Sequence, residues 1–406
     1  MGHRQGPVCS SVVARKRNYT LAHSELNERL DAFLDRAGAL YGNDRGRGFA
    51  REIVVSALRL LRDRAETSDI RLVSRALKEL RHAFRVFRPY EDIRKVAIFG
   101  SARTPPGTPE WVQAHAFAQA LAREGWMAIT GAGGGIMEAA QIGAGREASF
   151  GVNIQLPFEQ SANETILGDS KLINFRYFFT RKVTFVKEAH AIVLLPGGFG
   201  TLDEGFEALT LLQTGKTELL PVVFLDRPGG SYWRGWLRFI RSQLERPGWI
   251  SPEDLSLFTV LDDVEEAVAH IQNFYSNYHS SRHVDGRLVL RVRVAPDPSQ
   301  LAEINDEFSE MMLGEPMRIV DSSEEDATED IADLVRLSLR FDRHQVGRLR
   351  ELIDRLNGLV TEQAPPRHEA ASREVISENF ADEVLEALES EDDGPKRPPR
   401  SSGSGE

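Results

Sequence analysis

The chain has 406 residues, 41% hydrophobic and 27% charged, the balance of a soluble globular protein with room for two or three structural units. Of the net charge of −11, the stretch Thr361–Glu406 holds 12 acidic and 5 basic residues; the remainder says little about partners, and an acidic chain suits nucleic acid poorly, since binding its backbone needs a basic face. A single cysteine, Cys9, excludes an internal disulfide and a cysteine-based metal site, and no apolar run reaches the ~20 residues that span a bilayer, so a cytoplasmic protein with no membrane or nucleic-acid partner is expected.

Residues 1–17 read as a flexible basic leader without the apolar core of a secretory signal. From about Tyr19 to Phe87 apolar residues recur at helical spacing: Leu26, Leu30, Phe33 and Leu34, then Val54, Leu58 and Leu61, then Val73, Leu77, Leu80 and Phe84. Gly42 to Gly48 separates the first two helices, giving a helical extension over 18–89. Over 90–283 short apolar runs at Val96–Phe99, Met127–Thr130, Gly151–Leu156, Ala191–Leu195 and Pro221–Leu225 alternate with helical segments at Glu110–Arg123, Ile136–Glu147, Arg176–Glu188, Leu202–Gln213 and Tyr232–Leu244. That rhythm predicts an α/β fold, a Rossmann-like parallel sheet with helices on both faces. Runs such as Ile192-Val193-Leu194-Leu195 suit strands buried on both sides.

Residues 284–360 read as a small α+β unit, with strands at Arg287–Val294, Met317–Val320 and Leu334–Phe341 and helices at Ser299–Leu313 and Gln345–Leu356. The unit carries no catalytic motif and is a candidate for oligomer assembly or effector binding. The acidic tail, 361–406, is expected to be largely disordered, with a short helix near Asn379–Leu388.

Three glycine-bearing loops leave strand ends: Phe99-Gly100-Ser101-Ala102-Arg103, Thr130-Gly131-Ala132-Gly133-Gly134-Gly135 and Pro196-Gly197-Gly198-Phe199-Gly200-Thr201. In an open parallel sheet ligands bind beyond the carboxyl ends of the strands, and backbone N–H groups at helix starts hold anions there. The dinucleotide fingerprint does not fit, since the glycine cluster follows the second strand, and no Gly-Lys-Ser/Thr completes a Walker loop. A monophosphate site is the expectation. Thr201 and Glu204 have the spacing of a helix capping box, while Glu204 also lies one turn from the third loop, so both a capping and a chemical role stay open. Arg181-Lys182 follows the aromatic cluster Tyr177-Phe178-Phe179 and is expected partly buried, with a carboxylate or phosphate partner. The ten histidines show no ligand spacing, so neither a metal nor a cofactor is expected.

Pro196-Gly197-Gly198-Phe199-Gly200-Thr201-Leu202-Asp203-Glu204 resembles the PGGxGTxxE signature of the LOG (LONELY GUY) family, often mislabelled as lysine decarboxylases. Gly133-Gly134-Gly135-Ile136-Met137-Glu138 is similar to its second glycine motif and Arg181-Lys182 to its Arg-Lys pair. Phe178 to Lys182 and Pro157-Phe158-Glu159-Gln160 resemble the longer bacterial members, described as AMP or general nucleotide nucleosidases. The likeness spans about 94–275. It implies hydrolysis of the N-glycosidic bond of a nucleoside 5′-monophosphate, AMP or a relative such as a cytokinin riboside monophosphate, to free base and ribose 5-phosphate. It also implies Arg181 and Glu204 as the catalytic pair. Gly198, Gly200 and Thr201, with Ser101 and Gly134, would hold the phosphate, and Gly133, Gly197 and Lys182 complete the nucleotide site. A homo-oligomer is expected. Asp203 departs from the Glu of many members, and the flanking segments put base preference in doubt. The competing reading is a non-catalytic nucleotide or cofactor carrier on the same fold.

Overall fold

The computed structural model describes residues 19–42, 46–155, 162–321, 331 and 333–360. The run Pro157–Gln160, the basic leader and the acidic tail lie outside the described residues. The chain divides into two compact units between Lys78 and Glu79. The first holds α1 (Ser24–Tyr41), α2 (Arg47–Arg62) and the start of α3 (Thr67–Phe87). Within it Leu34 and Val55 are buried, and Arg51 donates from Nε to Asp31 at 2.8 Å.

The second unit is built on a seven-stranded parallel sheet in the order β4-β3-β2-β1-β5-β6-β7. Its strands are β1 (Lys95–Phe99), β2 (Met127–Thr130), β3 (Ser149–Ile154), β4 (Leu172–Phe175), β5 (Ala191–Leu194), β6 (Val222–Leu225) and β7 (Thr259–Leu261). Every residue of β1, β2, β5 and β6 is buried, which explains why these strands are unbroken apolar runs. The helices between them are α4 (Pro109–Arg123), α5 (Ile136–Ala144), α6 (Phe178–Glu188), α7 (Phe199–Gln213), α8 (Tyr232–Ile240) and α9 (Val264–Phe274). The chain moves outward from β1 through β4, returns to place β5 against the other side of β1, and then moves outward again. Strand order therefore reverses between β1 and β5, the position at which open sheets of this kind bind ligands.

A second, antiparallel sheet has the order β10-β11-β9-β8, from β8 (Tyr278–Val284), β9 (Arg287–Val292), β10 (Arg318–Val320) and β11 (Val335–Leu339). Helices α10 (Pro298–Glu307) and α11 (Val346–Asn357) accompany it. Its first strand starts at Tyr278, ahead of the expected start at residue 284, and its side chains join one continuous core with the parallel sheet. Polar bonds also fasten the junction. Asn357 Oδ1 accepts from the backbone N–H groups of Asn277 and Tyr278 at 3.2 and 2.8 Å, and its Nδ2 donates to Phe274 O at 2.8 Å. Among the described residues no helix is long and apolar enough to cross a membrane.

Candidate active site

The three glycine loops are laced together at the reversal point. Ser101 N–H donates to Pro196 O at 3.2 Å, joining the loops after β1 and β5, and Ile136 N–H donates to Ser101 O at 3.0 Å, joining the loops after β1 and β2. Several of the loop glycines meet close neighbours, Gly135 and Gly131 among them. Gly135, at φ +64, would drive a Cβ into the carbonyls of Ser101 and Ala102. At Gly131 a Cβ would sit 2.5 Å from Nη2 of Arg181, so the backbone of the second loop lies directly against that guanidinium. Gly198 and Gly200 differ, because no atom lies within 4 Å of where their Cβ would stand, and Gly134 meets only Ala102 O at 3.5 Å. At those positions crowding within the chain does not explain glycine.

Helix α7 begins at Phe199 with Gly198 as N-cap and no side-chain cap. The capping-box alternative for Thr201 and Glu204 therefore fails: the helix opens two residues ahead of Thr201, so Glu204 stands more than a turn inside it, beyond the N–H groups that need a cap. The first turn leaves the N–H groups of Phe199, Gly200 and Thr201 at the positive end of the helix dipole, and Thr201 is buried beneath them.

Arg181 and Lys182 leave α6 toward the same edge. Arg181 donates from Nε to Val152 O at 2.9 Å, and its guanidinium lies 5.3 Å from the Phe185 ring centroid. Lys182 Nζ stands 2.5 Å from Glu207, 3.0 Å from Asp203 and 3.5 Å from Glu204, so one ammonium serves three carboxylates of α7. Burial pushes the Glu204 carboxyl above the usual carboxylate range; Lys182 and Arg181 pull it back, while Glu207 and Asp203 add to the rise. Burial works against the Lys182 ammonium too, but its bond to Glu207 and the charges of Glu204 and Asp203 outweigh that and raise it. The outcome is a carboxyl only 12% exposed beside two cations, with its proton affinity enhanced.

Of the expected site residues, Ser101, Gly133, Gly134, Gly197, Gly198, Gly200 and Thr201 thus belong to three joined loops, and Arg181 and Glu204 stand within electrostatic reach of each other. Lys182, expected at the phosphate, has its ammonium among carboxylates. Two supports were not legible in the sequence. Tyr232 donates its hydroxyl to Gly197 O at 2.5 Å. Asn163 donates from Nδ2 to Gly133 O at 2.9 Å and to Gln141 Oε1 at 2.7 Å, with Ala132 O also within reach at 3.2 Å, beside the unusual φ of +62 at Ala132. Neither residue lies in a motif, and only the fold brings them to the loops. Among the described residues no group of three or more His, Cys, Asp or Glu could hold a metal ion.

A family model described as possible lysine decarboxylase matches residues 134–271, which take in Arg181, Lys182 and the third loop through Glu204. A cytokinin riboside 5′-monophosphate phosphoribohydrolase of Mycobacterium tuberculosis is 30% identical over 156 residues, 37% of this chain and 78% of that protein. The Arabidopsis thaliana enzyme of the same name, LOG1, is 33% identical over 94 residues, 23% of this chain and 42% of that protein, so the match spans less than half of the plant enzyme. Among solved structures, the molybdenum cofactor carrier protein of Chlamydomonas reinhardtii is 22% identical, covering 44% of this chain and 94% of that one, with a TM-score of 0.30. With 30% identity sustained over more than three quarters of the mycobacterial enzyme, this chain belongs to the LOG family.

Proposed function

We propose that the protein hydrolyses the N-glycosidic bond of a nucleoside 5′-monophosphate, AMP or a related nucleotide, releasing the free base and ribose 5-phosphate. The observation that carries the reading is the buried Glu204 carboxyl beside Arg181 and Lys182, at the strand edge where three glycine loops meet. The names of the mycobacterial and plant relatives point to the same reaction class. In this reading the 5′-phosphate accepts from the N–H groups at the start of α7 and from the loop before α5, with Ser101 and Thr201 adjoining. Phosphate anchorage then lays the ribose toward Glu204.

As the bond from C1′ to the base nitrogen breaks, its electron pair leaves with the base and positive charge grows on the ribose. The Glu204 carboxylate stabilises that charge and takes a proton from the attacking water, whose oxygen bonds to C1′; the proton ends on the departing base. Arg181 keeps Glu204 ionised against its burial and anchors the substrate. A pure carrier needs the loops but has no use for a buried carboxylate costly to ionise, which favours the hydrolase over the carrier. The same reading takes the protein as a cytoplasmic homo-oligomer, because Phe178, Phe179 and Val183 of α6 and Phe206 of α7 present apolar surface that a second copy would cover.

Incubation with a panel of nucleoside monophosphates, followed by detection of ribose 5-phosphate, tests the reading and identifies the base. Each hydrogen bond to a charged group contributes about 1.5–3 kcal/mol, so losing two or three should make adenosine about 10³–10⁵ poorer than AMP in kcat/KM. Adenosine cleaved within about tenfold of AMP would mean the loops are only turns.

A further inference from the structure

Helix α6 carries both Arg181 and Lys182, yet its own sequence does little to fix its start. Tyr177 at the N-cap makes no side-chain capping bond, and the first turn, from Phe178, contains no acidic residue. The unpaired N–H groups of a helix start need acceptors, and a negative charge there is favoured by the dipole. The negative charge comes from another helix, which grips the segment just ahead of α6 and a hydroxyl within its first turn. Glu79 of α3 accepts from the backbone N–H of Arg176 at 3.0 Å through Oε1 and from the hydroxyl of Thr180 at 2.7 Å through Oε2. Thr180 is fully buried and immediately precedes Arg181. Its hydroxyl has one proton, and the carbonyl of Tyr177 at 3.0 Å is the other acceptor within reach.

Farther along the same two helices Lys187 lies 5.1 Å over the Phe84 ring, so α3 follows α6 for more than a turn. Rotation of α6 about its axis is thereby limited at both ends. That rotation matters, since it would swing Arg181 off Val152 O and Lys182 off the α7 carboxylates.

We infer that Glu79 is a positioning residue: its carboxylate bridges the start of α6 and sets the angular placement of Arg181 and Lys182. The last turns of α3, from Glu79 onward, belong to the same compact unit as the site and thus contribute to it. The kinetic part of the inference rests on the proposed hydrolase reading.

The test compares Glu79→Ala, Glu79→Gln, Thr180→Val and the Glu79→Ala/Thr180→Val double variant in the full chain, with kcat and KM for the best monophosphate of the panel. Misplacement of a reacting group by about 1 Å costs about 10²-fold, so Glu79→Ala should lower kcat about tenfold to a hundredfold. KM should rise by much less than kcat falls, because the phosphate loops lie on α5 and α7 and Arg181 is only one of the substrate's anchors. Glu79→Gln, able to bridge the same two groups, should restore kcat to within about threefold of the parent. The double variant should be no slower than Glu79→Ala, since both changes break one bridge. Wild-type kcat in Glu79→Ala, or losses that multiply in the double variant, would overturn the inference. Amide hydrogen exchange separates it from the reaction: even if the parent cleaves no monophosphate, Glu79→Ala must speed exchange in the first turn of α6 and leave α7 unchanged, and unaltered exchange there sinks the inference by itself.

Discussion

Lys182 is where two roles give opposite kinetic signatures. Replacing it with Met keeps the stem but removes the ammonium that stands 3.5 Å from Glu204, 3.0 Å from Asp203 and 2.5 Å from Glu207. A unit charge at 3.5 Å contributes about 5 kcal/mol at an effective dielectric of 20. Three carboxylates share this ammonium and Asp203 is 63% exposed, so water screens the cluster and about 1–2.5 kcal/mol is the better figure for Glu204. At about 1.4 kcal/mol per pH unit, loss of the ammonium should raise the proton affinity of Glu204 by about one to two units. In the proposed mechanism Glu204 acts as the carboxylate, so activity should fall as pH drops through its titration, a point that burial already places above the ordinary range. In Lys182→Met the acid limb of the kcat profile should move to higher pH by about one to two units, with turnover largely recovered on the alkaline side. If Lys182 instead binds the phosphate, the limb stays in place and KM rises. A limb within about 0.3 units of the parent refutes the electrostatic account.

Two further outcomes follow from the same structure. Glu204→Gln should lower kcat by a factor of about 10²–10³ or more with nucleotide binding retained in calorimetry, and Arg181→Ala should also lose turnover; parental rates in either would break the proposed pair. His270 and His279 are pushed down to about 4, chiefly by burial, with Arg350 beside the first and Arg293, Arg94 and Arg291 around the second. The unfolded chain takes up their protons near pH 6.5 while the folded chain resists until about 4, so stability should fall with pH across that window, by up to about 3 kcal/mol per residue. Urea midpoints between pH 7 and 5 should show this slope, flattened in His270→Gln and His279→Gln; equal slopes in parent and variants would contradict it.

The central strands were legible because burial on both faces leaves an unbroken apolar run, as in Ala191–Leu195. The edges were not. β4 alternates between buried and exposed, β7 is three half-buried residues, and β8 hides in the polar run His279-Ser280-Ser281-Arg282-His283 because only every other position near its start is buried. The start of α7 was read three residues late, since glycines suggest a loop until one sees that Gly200 sets its N–H at a helix opening. The loops are local motifs and could be read directly, whereas the pairing of Arg181 with Glu204 came only from the family resemblance. What surrounds them could not: the α7 partners of Lys182, the Tyr232 hydroxyl and the Asn163 clamp are brought in by topology, and no spacing encodes them.

The environment of Glu204 also argues about why it is there. A carboxylate kept for stability would sit where ionisation is easier in the folded chain than in the unfolded one, and its proton affinity would be lowered. Asp169 is such a group: burial opposes it, yet its bonds to Lys171 and the charge of Arg146 bring it below the usual range. Glu204 runs the other way, with burial winning over Lys182 and Arg181. A carboxyl whose folded-state value is raised stabilises the fold only below its unfolded value, and once ionised at neutral pH it costs stability. Glu204→Gln removes that cost while keeping nearly the same shape, so the variant that loses turnover should melt at a higher temperature than the parent near pH 7. The gain should shrink as pH falls and the parent carboxyl takes up its proton. Strain accepted at a reactive group and released by its neutralisation is the exchange expected between stability and activity. A Glu204→Gln protein that melts lower at pH 7 would show that the carboxylate serves the fold, and the catalytic assignment would lose its electrostatic support.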